Sequence, residues 1–136
     1  MNTYNPDRTI DPLEWDTLDE QERLYLVERY HRKKHIKMPN SRMHAVIHVI
    51  VENQVALSAR IPVQKTLERL MLEGLHRHDA VHAIGSVLSG RMFELMKHGA
   101  KKDQDVNEIY HRQLEELTAE GWLRSANEES EEDDLE

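Results

Sequence analysis

The chain contains no cysteine. Disulfides, thiolate zinc sites and cysteine nucleophiles are therefore excluded. Five glycines and four prolines are few for 136 residues, which argues against a chain of many tight turns and suits helices. Aromatic residues make up only 5%, so a core has to be built mostly from Leu, Val, Ile, Met and Ala. No apolar run approaches membrane-spanning length, and the N-terminus MNTYNPDRTIDP lacks the apolar stretch of a signal peptide. Positive charge is also short. Eighteen Lys and Arg face 26 Asp and Glu, a formal net charge of −8. General affinity for nucleic acid or for an anionic membrane is not expected from that balance. Much of the acidic excess lies in the terminal stretch EESEEDDLE, leaving the rest nearer neutral. The expectation is a single cytoplasmic domain.

Helical signals run through most of the chain. Residues 1–10 read as a flexible arm. Asp11-Pro12 with Glu14 resembles an N-cap, a proline at the first helical position and a capping-box carboxylate. Thr17 and Glu20 repeat that signature ahead of a helix over about 18–36, whose inward positions Leu24 and Val27 lead at helical spacing to His31 and His35. Pro39-Asn40-Ser41 predicts a break and the cap of a helix over about 41–58. Its segment MHAVIHVIVENQVAL is apolar nearly all round, which predicts the central, most buried helix. Arg60-Ile61-Pro62 opens a shorter helix closed by Gly74. A helix over 77–98 carries Val81, Ile84, Leu88, Met92 and Leu95. Another, over 104–120, is expected to stop at Gly121, with Trp122 and Leu123 folding back as a hydrophobic latch. Phe93 and Met96 read as core packing, with a homo-oligomer seam as the alternative. The fold class is thus all-α, a compact bundle of four to five helices over 11–124, followed by a disordered acidic tail at 125–136.

Nine histidines stand out in this composition. Six of them form pairs four residues apart: His31/His35, His44/His48 and His78/His82. Residues at that spacing share one helix face, close enough for two imidazoles to reach one ion. Glu52 extends the second pair as HAVIHVIVE, and Asp79 lies inside the third as HDAVH. His78 and His82 flank an apolar stripe, and Gly85 and Ser89 along their face leave room above the rings. Packing the 41–58 and 77–98 helices together would join four imidazoles and one carboxylate in a groove, as helical bundles build metal sites. His44, His48, Glu52, His78 and His82 are therefore the candidate ligands for one or two divalent transition metals (Zn, Fe, Mn or Ni). His44 and Glu52 are separated by about 12 Å along the axis, too far for one ion to hold both. His44 then stands behind the ligands, or two ions are present. His31 and His35 lie in the basic run RYHRKKH, which reads as a solvated helix end, although His31 continues the Leu24–Val27 stripe. His76, His98 and His111 read as surface or capping residues.

Two known patterns resemble this arrangement. HDAVH is similar to the HExxH zinc-peptidase helix, with Asp79 where that motif carries its glutamate base. The third histidine of the extended motif would fall at Leu88, and strands are missing. A hemerythrin-like order is also similar: His31, then His48 with Glu52, His78 with His82, and His111 with Glu116. That resemblance implies a di-iron carboxylate site, with Glu116 where an aspartate is usual. More extensively, LDEQERLYLVERYHR, HAVIHVIVENQVAL, PVQKTLERLMLEGL and RHDAVHAIGSVL resemble a small bacterial family defined only as a domain of unknown function. The likeness covers most of residues 12–97, with LTAEGW as a weaker extension. That family carries HEAIH where this chain has HDAVH, and it implies no activity.

Two functions follow as expectations. In one, a metal held between facing helices hydrolyses a small substrate, with Glu52 or Asp79 as base. In the other, the histidines are structural or pH-sensing parts of a non-catalytic interaction module. The protein partner is undefined in either case.

Overall fold

The computed structural model describes residues 1–36, 40–57, 62–99 and 105–135, for 106 and 128–135 the backbone alone. Among the described residues every regular element is a helix: α1 Pro12–Asp16, α2 Glu20–Lys33, α3 Ser41–Ala56, α4 Val63–Leu72, α5 Arg77–His98, α6 Val106–Glu116 and α7 Ala119–Leu135. The all-α class holds, with seven helices among the described residues instead of four to five. The expected break at Pro39 and the Arg60-Ile61 helix start lie outside the described residues.

Local chemistry explains most boundaries. Asp11, Asp19, Asn40 and Asp105 each accept a backbone N–H of the first turn they precede, opening α1, α2, α3 and α6. Asp19, not Thr17, is thus the cap of α2. That helix ends early because His35 turns to φ 55°. Gly74, at φ 113°, closes α4 while Leu75 N–H reaches back to Leu70 O at 3.1 Å. Gly121 does not stop a helix. The break falls at Leu117, where ψ swings to 130°, and Thr118 Oγ1 then accepts the Gly121 N–H at 3.0 Å to start α7. Trp122 and Leu123 accordingly lie within a helix, from which Trp122 packs against the main apolar cluster while Leu123 stays exposed. The backbone of α7 continues beyond 125 into the acidic segment, whose Glu content favours helix locally.

Helix α3 is the hub, touching α1, α2, α4 and α5. One apolar cluster joins Val51 to Leu67, Leu70, Val81, Ile84, Tyr110 and Leu114 across α3–α6. A second gathers Tyr4, Trp15, Leu26, Val27, Ala45 and Val49. Phe93 and Met96 belong to neither; they are 60% and 86% exposed, because the far end of α5 outruns its neighbours' cover.

Residues 1–10 are not a loose arm. Tyr4 and Pro6 are buried, Pro6 O accepts from Arg77 Nη1 at 2.9 Å, and Asp7 Oδ1 accepts the His78 N–H at 3.1 Å. The last contact does the capping that His76, at the N-cap of α5, leaves undone. The N-terminal segment is therefore a strap across the start of α5.

Candidate metal centre

Three helices bring five imidazoles together. His31 comes from the last turn of α2, His44 and His48 from the first half of α3, and His78 and His82 from the first two turns of α5. Close approach of α3 and α5 depends on Gly85. A Cβ there would stand 3.0 Å from Ile47 Cγ2.

One ring nitrogen from each of His31, His48, His78 and His82 lies within 4.8 Å of the other three. His31 and His48 are buried, and His78 and His82 are half-buried. The Nε2 atoms of His48, His78 and His82 are out of solvent and have no hydrogen-bond partner among the described residues. Buried polar atoms are nearly always paired, so three orphans on rings of one cluster require an explanation.

Two of the rings have their tautomers fixed from behind. His31 Nδ1 donates to Val27 O at 2.8 Å, which leaves a lone pair on Nε2. Tyr4 O–H donates to Glu52 Oε2 at 2.5 Å. The Tyr4 oxygen can therefore accept from His48 Nδ1, 2.9 Å away, leaving the His48 Nε2 lone pair free as well. Second-side hydrogen bonds of this kind orient metal-binding imidazoles.

Glu52 does not face the ring nitrogens. Arg77 grips both its oxygens, at 2.8 and 2.7 Å, in a pair whose side chains are 3% and 1% exposed. Its place is behind His48, reached through Tyr4. Asp79, half-buried in the first turn of α5, is outside the four-histidine group. His44 is also outside that group but packs against His31, His48 and His82, with its Nε2 3.1 Å from His31 Nε2. His111 stacks beside Tyr110 on α6 and does not join, so the hemerythrin-like order is not assembled.

His31 was hidden by its basic neighbours; its phase behind Leu24 and Val27 was the signal that could find it. Tyr4 and Arg77 carried no local signal. Each acts through a partner tens of residues away.

Burial, then repulsion by the neighbouring rings, favours the neutral form of His44, His48, His78 and His82. His44 is pushed down to about 4 and His82 to about 3, and His48 lies well below its ordinary value. In the unfolded chain these groups protonate near about pH 6.5. Unfolded protein thus binds protons first as pH falls, so metal-free stability is full above about 6.5 and drains away below it toward about 3–4. Urea unfolding of chelator-treated protein should give a clearly lower midpoint at pH 5 than at pH 7.5. Equal midpoints would mean the rings are solvated.

No helix among the described residues is long and apolar enough to cross a membrane. No family model matches the chain, and neither a curated protein nor a solved structure is significantly similar to it.

Proposed function

We propose that this protein binds one divalent first-row transition metal through His31, His48, His78 and His82. The unpartnered Nε2 atoms of His48, His78 and His82, on rings that each bring one nitrogen within 4.8 Å of the others, carry the reading. A purely structural role for these histidines would leave three buried acceptors or donors unsatisfied, at about 1–3 kcal/mol each. An ion satisfies all of them at once.

An all-imidazole set suits Zn²⁺, Ni²⁺, Cu²⁺ or Fe²⁺ better than Mn²⁺, which prefers oxygen. A tetrahedral ion with bonds of about 2.0–2.1 Å keeps its ligands about 3.3 Å apart, so the rings turn inward to hold it. The chemistry such an ion supplies is Lewis acidity. The chain supplies orientation: Val27 O and Tyr4 fix two rings, and the Arg77–Glu52 pair fixes Tyr4. Glu52 is a positioning residue in this reading, not a ligand or base, because its oxygens are committed. Membership of the small bacterial family with the HEAIH motif is part of the same proposal.

Elemental analysis of tag-free protein purified without chelator tests it. We expect close to one equivalent of a transition metal, lost in His48→Ala and His82→Ala. Metal-free protein whose unfolding is unchanged by added Zn²⁺, Ni²⁺ or Fe²⁺ would overturn it.

A further inference from the structure

Resting on the four-histidine reading, we propose that the centre accepts a small anion as an additional, exchangeable ligand, and that His44 donates the hydrogen bond that holds it.

The first observation is charge. Four neutral imidazoles give a divalent ion no compensating negative charge. Glu52, the carboxylate wired to the site through Tyr4, is already neutralised by Arg77 on both oxygens. Asp7 and Asp79 stand on the His78 side, but Asp7 is exposed and committed to the His78 N–H, and Asp79 is half-buried outside the ligand group. A partly buried dication with neutral ligands and only screened acids nearby attracts an external anion. Exposed Arg32, Lys33 and Lys34 follow His31 directly and add positive potential at that end of the site.

The second observation is the fifth histidine. His31 Nδ1 donates to Val27 O, so its Nε2 is an acceptor, and the His44 Nε2 lying 3.1 Å away must be the donor. An ion bound by His31 takes the same lone pair. His44 then keeps its N–H but loses its acceptor, at a point packed against His31, His48 and His82. A donor released beside a cation is suited to a group that both ligates and accepts a hydrogen bond. Small carboxylates and inorganic anions have that chemistry; a neutral amine does not.

Cobalt(II)-loaded protein titrated with azide tests this through its visible spectrum, without any activity assay. We expect wild-type protein to show a saturable change in the cobalt bands. Azide should bind about tenfold or more weakly to His44→Ala, as expected for loss of a charge-assisted hydrogen bond. His44→Gln, which retains an N–H donor, should recover part of the difference. A one-equivalent cobalt site with an azide-insensitive spectrum would overturn this inference alone and leave the four-histidine reading standing. Loss of cobalt in His44→Ala would also overturn it, by making His44 a ligand. Failure of wild-type protein to bind cobalt would remove both.

Discussion

Arg77→Met is expected to destabilise the fold by about 3–5 kcal/mol, because it strands the Glu52 carboxylate in a place water does not reach. Arg77 and Glu52 side chains are 3% and 1% exposed, and two short hydrogen bonds join them. The guanidinium also ties Pro6 O to the start of α5, so the strap loses an anchor with it. Against a total stability of about 5–15 kcal/mol, that is a large fraction. The second arm separates the pair from its parts. Glu52→Leu combined with Arg77→Met leaves no unpaired charge and should recover more than half of the loss. Urea titrations of wild type, Arg77→Met, Glu52→Leu and the double variant give the coupling directly. A single-mutant loss under about 1 kcal/mol would show that water reaches the pair.

Saturating zinc or nickel is expected to raise the unfolding midpoint of chelator-treated protein by about 10–15 °C. At a free metal concentration about 1,000 times the dissociation constant, ligation of the folded state alone contributes about 4 kcal/mol, and a chain this size gains about 3 °C for each. The residues that matter distinguish a built site from loose surface binding. His31→Ala, His48→Ala, His78→Ala and His82→Ala should each abolish most of the shift. His98→Ala and His111→Ala should keep it, since neither ring is in the group. Calorimetric scans with and without metal read the outcome. Equal shifts in both sets of variants would point to metal on exposed histidines.

Much of the helical framework was legible because helix ends carry local chemistry. Asp11-Pro12, Asn40 and Gly74 mark boundaries that the backbone confirms. The 104–120 segment was misjudged at one point: Gly121 looks like a stop, but Leu117-Thr118 makes the break and Gly121 receives the new cap. The histidine face was legible for the same reason, since four-residue spacing is a statement about one helix. His48, His78 and His82 fall where that spacing puts them. Glu52 shows the limit. On its own helix it continues the His44–His48 stripe and has the chemistry of a ligand. Its actual partners, Arg77 and Tyr4, lie 25 and 48 residues away, and no periodicity reports them. Tyr4 was lost in a segment whose Asn, Pro and Asp content reads as loop. It is loop, but a docked one.

The strap has a consequence for the order in which the chain can take shape. Tyr4 and Pro6 leave the ribosome well before their partners Glu52 and Arg77, and Asp7 waits for the backbone of His78. Until about residue 82 has emerged, the N-terminal segment lacks its α5 partners, and the four-imidazole group is incomplete. Helices α2 and α3 can pair earlier, because they are neighbours in sequence. Assembly of the centre is therefore a late, long-range event that fastens the strap to the start of α5. An ion arriving at that stage would select the fully threaded chain over every shorter intermediate.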